Sequence, residues 1–187
     1  AFSGSGIRCH GRVPEMVAWL QLGWKMFLLF LQEKEMLEDE RGFFLQEEFR
    51  ELLYALAKKQ SIQIERDKPT HIFIRKLYAL LESGQAKVIQ KDSGENFEPT
   101  GFVGYEDGTF LYLNREIAHH MVKRLCDEQG EAFLISARAL TKALAEEELI
   151  DVSGGMNTRA IRFGNKTRRV ICLRKGKAEL IVNSTYA

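Results

Sequence analysis

Apolar residues recur at helical spacing through the first third of the chain, and the period then shortens to that of strands. The first periodic segment runs from about Pro14 to Leu37. Pro14 suits a first helical turn, where its missing N–H costs nothing, and Glu15 suits the positive end of the helix dipole. Trp19, Leu20, Trp24, Phe27, Leu28 and Leu31 surround most of the cylinder, which predicts a largely buried helix. Leu45, Phe49, Leu52, Leu53 and Leu56 predict a second helix over about Phe44 to Gln60, with Glu47, Glu48, Arg50 and Glu51 outside. A third helix starts after Pro69-Thr70 and carries Ile72, Phe73, Leu77, Leu80 and Leu81 to a stop at Gly84. These three helices read as one small bundle.

Beyond Gly84, Ala86 to Lys91 reads as a short strand, and Asp92-Ser93-Gly94-Glu95-Asn96 as a loop or linker ending at Pro99-Thr100-Gly101. Phe102 to Tyr105 and Thr109 to Leu113 flank Glu106-Asp107-Gly108, a strong hairpin signal. Asn114 caps a helix to about Gln129, closed by Gly130, with Ile117, Met121, Leu125 and Cys126 or their neighbours turned inward. Ser136 caps another, Ala137 to about Glu148, with Leu140, Leu144 and Ala145 on its buried side. Leu149-Ile150 begins a strand, and Gly154-Gly155 permits a turn. Arg159 to Phe163 and Thr167 to Leu173 form a hairpin across Gly164-Asn165-Lys166. Helix, turn, helix, strand and basic hairpin is the order of a winged helix-turn-helix. The expected class is α+β, mainly α. Its parts are a tether over residues 1–11, a helical module over 12–91 and a winged-helix module over 100–182.

Composition is that of an ordinary globular protein, with 45% apolar and 28% charged residues among 187. Charge is more telling. Val152 to Ala187 holds eight basic residues and one acid, +7, whereas the other 151 residues hold 19 basic and 25 acidic groups, −6. Such asymmetry points to a polyanionic partner for the basic end. The plainer alternative is a solvated hairpin rich in arginine. Cys9, Cys126 and Cys172 are odd in number and lack a CxxC, which fits reduced thiols and a cytoplasmic setting. The apolar run from Met16 to Leu31, broken by Gln21, Gly23 and Lys25, is too short for a confident membrane span. Ala1 in place of Met, followed by Ser3-Gly4-Ser5-Gly6, reads as the start of a piece of a longer polypeptide.

The candidate binding residues follow from this layout. Arg138 and Lys142 share one face of the second helix of the helix-turn-helix, where Ser136, Thr141 and the helix N-terminus offer further phosphate donors. Glu146-Glu147-Glu148 restricts any approach to the first half of that helix. On the hairpin, alternation puts Ile161 and Phe163 on one side and Ala160 and Arg162 on the other. Arg159, Arg162, Lys166, Arg168 and Arg169, followed by Arg174, Lys175 and Lys177, gather cations suited to neutralising phosphates. Catalytic signals are poor. Gly164-Asn165-Lys166-Thr167 fails the P-loop spacing. Glu116-x-x-His119 lacks the second copy that a di-metal bundle needs. His119 and His120 diverge by about 100°. His10 beside Cys9 has no matching ligand spacing, and no nucleophile elbow surrounds Ser3 or Ser5. No catalytic residue, metal ligand or cofactor is expected.

His10-Gly11-Arg12-Val13-Pro14-Glu15, with Ala18-Trp19-Leu20 and Gly23, resembles the segment just past the ATPase core of helicase or primase-helicase proteins. Those proteins are carried by phages and integrative elements of bacteria. Pro69-Thr70, Ile72-Phe73, Leu77, Leu80, Leu81 and Ser83-Gly84 resemble the following helical module. Tyr112-Leu113, Leu140-Thr141-Lys142-Ala143-Leu144, Leu149-Ile150 and Asn157-Thr158-Arg159 resemble its terminal winged-helix unit. Glu148 stands where that pattern calls for a glycine. The resemblance implies a DNA-binding accessory region of a mobile-element replicative helicase. Its partners would be duplex or forked DNA and an upstream ATPase domain, without a membrane, with possible homo-oligomerisation through the parent protein. The alternative is a protein-interaction or oligomerisation module.

Overall fold

The computed structural model describes residues 12–91, 93, 99–152, 154–163 and 166–184. The tether over 1–11, most of the loop after Lys91 and the hairpin tip Gly164-Asn165 lie outside them. The fold is α+β and mainly helical, with six helices and a small mixed sheet among the described residues. The chain divides into two compact units between Asp67 and Lys68.

The first unit is a helical hairpin of α1 (Val13–Glu33) and α2 (Asp39–Arg66). Both helices overshoot or fall short of the expected ends, α2 reaching well beyond Phe44 and Gln60. The turn is made by Glu35 at φ 56°, with its N–H on the Gln32 carbonyl and the Met36 N–H on that of Leu31. These bonds satisfy carbonyls that the end of α1 would leave open. Val13, Val17, Leu53 and Ala57 form the core, flanked by Phe49 and Ile64. Trp24 stacks on Phe49 at 4.7 Å between centroids. The expectation of a largely buried α1 fails: Trp19 is 66% exposed, and Leu20 and Phe27 are about half exposed. A single neighbouring helix covers one stripe of α1, whatever the hydrophobicity of the rest.

The second unit starts with α3 (Pro69–Glu82) and β1 (Lys87–Gln90), then β2 (Phe102–Glu106), β3 (Phe110–Leu113), α4 (Arg115–Glu128) and α5 (Ala137–Glu146). It ends with β4 (Arg159–Phe163), β5 (Lys166–Arg174) and α6 (Lys175–Asn183). The grouping of α3 with the first two helices is therefore corrected. Phe73, Ile74, Leu77 and Leu80 of α3 are buried with Val122, Leu140, Leu144 and Ala178 from α4, α5 and α6. Thr70 donates to Glu147 Oε1 at 2.9 Å, tying the start of α3 to the end of α5. Helix α6 was not anticipated. Lys175-Gly176-Lys177 carries no helix signal, and α6 forms because Ala178, Ile181 and Val182 pack against this core.

The sheet order is β1-β2-β3-β5-β4, with β1 parallel to β2 and the other pairs antiparallel. Asp107 closes the β2–β3 turn as its Asp-Gly sequence predicts: Oδ1 accepts from the Thr109 and Phe110 N–H groups, both at 2.8 Å, and Oδ2 from the Tyr112 hydroxyl at 2.5 Å. Burial opposes the charge on Asp107, but these bonds and nearby Lys91 hold its carboxyl below the usual value. Burial and the bond to Asp107 push the Tyr112 phenol up. Asn114 caps α4 through bonds from the Glu116 and Ile117 N–H groups. The inward stripe of α4 is Ala118, Val122 and Cys126, so Ile117 is turned to solvent. Either stripe satisfies the helical period, and the neighbours α3 and α5 select one.

The departure at Glu148 has a clear local reading. Its φ is 54°, its N–H reaches the Ala145 carbonyl and the Leu149 N–H that of Leu144. This is the hydrogen-bonding of a glycine-terminated helix, carried by a residue whose Cβ makes the left-handed region cost roughly 1–2 kcal/mol. Glu148→Gly should therefore raise stability by about 0.5–1 kcal/mol after the added freedom of the unfolded glycine is counted. The exposed ion pair to Lys177, at 3.1 Å, contributes little against this. Thermal melts check it, and a lowered midpoint would mean that the ion pair outweighs the backbone strain.

Candidate nucleic-acid interface

The two halves of β5 belong to different ladders. Phe110 to Leu113 pair with Ile171 to Arg174, whereas Arg159 to Phe163 pair with Lys166 to Val170. In a straight strand Lys166 and Cys172 stand roughly 20 Å apart. Yet Phe163, the partner of Lys166, stacks on Tyr105 at 3.9 Å and 6° and meets Tyr112 edge-on at 5.7 Å. Tyr105, Tyr112 and Cys172 are adjacent in one row across β2, β3 and β5. The basic hairpin must therefore fold back over the face of the sheet away from the helices. It closes a second core of Ile89, Phe102, Tyr105, Tyr112, Phe163, Val170 and Cys172.

This fold-back divides the cations of the hairpin. Arg159, Ile161 and Phe163 share a face with Arg168 and Val170, toward the aromatic core. Arg168 is half-buried with its guanidinium 5.9 Å from the Phe102 ring centre. Arg162 and Arg169 are exposed on the opposite face, whose row continues into Ile171 and Leu173 under the helices. The side chain of Lys166 lies outside the described residues.

Other predicted cations already serve carboxylates. Asp151 receives Arg159 at 2.6 Å and Arg174 at 3.0 Å, one guanidinium on each oxygen. Arg174 also lies 5.9 Å over the Phe110 ring. Lys175 sits 2.8 Å from Glu106 Oε2 and 3.2 Å from the Asp107 carbonyl. Lys177 pairs with Glu148, and Lys142 is 3.6 Å from Glu146. Arg138 and Lys142 are both exposed along α5. The expected role of Thr141 as a phosphate donor is corrected: it is buried and donates to the Ala137 carbonyl at 2.7 Å. Ser136 accepts from the Ala139 N–H as an N-cap. The acidic run is likewise structural, with Glu147 holding Thr70 and 3.5 Å from His71.

Sequence reasoning missed the aromatic core, although a signal was available. Phe102-Val103-Gly104-Tyr105 and Phe110-Leu111-Tyr112-Leu113 show no polar alternation, which marks strands covered on both faces.

His119 Nε2 lies 2.7 Å from the Ile135 carbonyl, and Glu116 is held by Arg115. No group of three metal-capable side chains occurs among the described residues. Burial pushes the thiols of Cys126 and Cys172 up, and both are free. A cavity of about 660 Å³ opens beside β1, lined by Tyr78, Leu81, Val88, Glu106 and Lys175 among others. Burial, with Glu179 and Glu106 nearby, pushes the Tyr78 phenol up to about 12, which does not suit a base at neutral pH. No helix among the described residues is long and apolar enough to cross a membrane. The chain matches no protein-family model, no curated protein and no solved structure.

Proposed function

We propose that the second unit is a winged-helix DNA-binding module, working as an accessory region of a mobile-element replicative helicase or primase. In this reading α3, α4 and α5 are the three helices, and β3, β5 and β4 the small sheet with its basic wing. The antiparallel order β3-β5-β4, with Ile150 bridged to Leu173, is compatible with that topology. The observation that carries the reading is the pair of exposed cations on the outer face of the hairpin, Arg162 and Arg169, with Arg138 and Lys142 exposed along α5 as further candidates. Phosphates would be held by charge, giving salt-dependent affinity with little sequence selectivity. Chemistry on ATP would belong to another part of the parent polypeptide.

Fluorescence anisotropy with duplex and forked DNA across a salt series tests this. The log–log salt slope should be roughly −0.9 per duplex phosphate neutralised. Arg162→Ala with Arg169→Ala should weaken binding to all sequences alike and flatten the slope by about one unit per lost contact. Lys175→Ala should leave the slope unchanged, because Glu106 already holds that ammonium group. A folded double variant with unaltered affinity and slope would transfer the basic face to an acidic protein partner instead.

A further inference from the structure

The α1–α2 hairpin leaves large apolar side chains in water along both helices. On α1, Met16, Trp19, Leu20, Met26, Phe27 and Phe30 are all half-exposed or more. They repeat at steps of three and four residues through Gly23 and so form one stripe. On α2, Leu52 and Leu56 are equally exposed and extend a stripe from Leu45 and Phe49 with the same spacing. At about 100° per residue, each stripe is displaced by roughly a quarter turn, in the same rotational sense, from the line of contact between the helices. Antiparallel helices reverse that sense, so both stripes lie on one side of the hairpin.

We propose that this face pairs two copies of the chain, closing a four-helix bundle. Three-and-four spacing on both members of an antiparallel pair is the pattern of a bundle core, and one hairpin supplies half of it. The area agrees. Eight large side chains, each 50–66% exposed, offer on the order of 800 Å² per copy at about 150–250 Å² for a full large side chain. A stable interface requires about 800 Å² per partner. A two-fold axis joins a patch to itself, so no second matching surface is needed. The rim is also complementary: Glu48 and Lys59 are exposed on this side in opposite halves of α2. Antiparallel pairing of α2 with its copy sets each acid against the other copy's ammonium group. By itself the hairpin buries little beyond Val13, Val17, Leu28, Leu53 and Ala57, a small return for ordering two long helices.

The inference does not rest on DNA binding. Sedimentation of the whole chain should give twice 21.5 kDa, with a thermal midpoint that rises with protein concentration. Trp19→Glu combined with Phe27→Glu puts charges in the seam and should yield a monomer, whereas Leu29→Glu, on the far side, should remain dimeric. If the seam variant does not fold, the concentration dependence of the unaltered chain still decides. A monomer with a concentration-independent midpoint overturns the proposal, as does a folded seam variant that stays dimeric. A monomer that binds anionic lipid vesicles would also overturn it and assign the face to a membrane surface.

Discussion

Gly104→Ala should strongly destabilise the second unit, the largest effect expected of any single methyl group here. A Cβ at residue 104 would stand 2.0 Å from the Tyr112 carbonyl oxygen and 3.0 Å from the Leu113 Cα. Both neighbours are backbone of β3, paired with β2 at Gly104–Leu113 and Tyr105–Tyr112. A side-chain clash is relieved by a rotamer change; this one requires the strands to separate. The strand cannot slide either. The register between β1 and β2 shifts at Lys87–Val88, so that Phe102 and Gly104 oppose consecutive residues and Val103 is the extra one. Val103 fills the helix-side core, and its carbonyl accepts from the Asn114 N–H at 2.8 Å. Overpacking against flexible neighbours costs about 1–3 kcal/mol; against a fixed carbonyl we expect about 3 kcal/mol or more, a large share of a typical 5–15 kcal/mol. Calorimetry should show the transition lowered by roughly 10 °C or lost. An unchanged transition would mean that β2 and β3 are not this close.

Phe163→Ala should cost about 3–5 kcal/mol, the range for a buried phenylalanine, and release the basic hairpin from the sheet. Phe163 is 4% exposed and is the ring by which β4 reaches Tyr105 and Tyr112. Phe163→Leu retains much of the apolar volume but not the stacked ring, so it should fall between. Calorimetry measures the stability, and near-ultraviolet circular dichroism the tyrosine packing. On the DNA-binding reading the alanine variant should also bind more weakly, because Arg162 and Arg169 would be presented on a mobile hairpin. If stability and the tyrosine signal are both unmoved, the hairpin does not fold over the sheet.

The alternation of the basic hairpin was legible in the sequence, and the partners of its cations were not. Period-two alternation correctly separated Arg162 from Ile161 and Phe163, because alternation is a property of the strand alone. It could not rank the cations. Arg174 meets Asp151 across 23 positions and Lys175 meets Glu106 across 69. These pairs withdraw residues that composition had counted as available charge. Thr141 looked like a phosphate donor because its side chain is polar, whereas the bond to the Ala137 carbonyl makes it part of the buried face of α5.

By itself the sequence determined what forms within a few residues. Pro14 and Pro69 opening helices, Asn114 and Ser136 capping them, Gly84 and Gly130 at positive φ and the Asp107-Gly108 turn all rest on local sterics and short hydrogen bonds. Tertiary structure decided which of several compatible faces each element buries. It took α3 out of the first bundle, raised α6 from a segment without helix signals, turned Ile117 outward and folded the basic hairpin over an aromatic core. It also left Trp19 and Phe27 in water on a helix apolar enough to be buried all round. Hydrophobicity states how strongly a face avoids water, but only a neighbour arriving from elsewhere in the chain, or from another chain, can cover it.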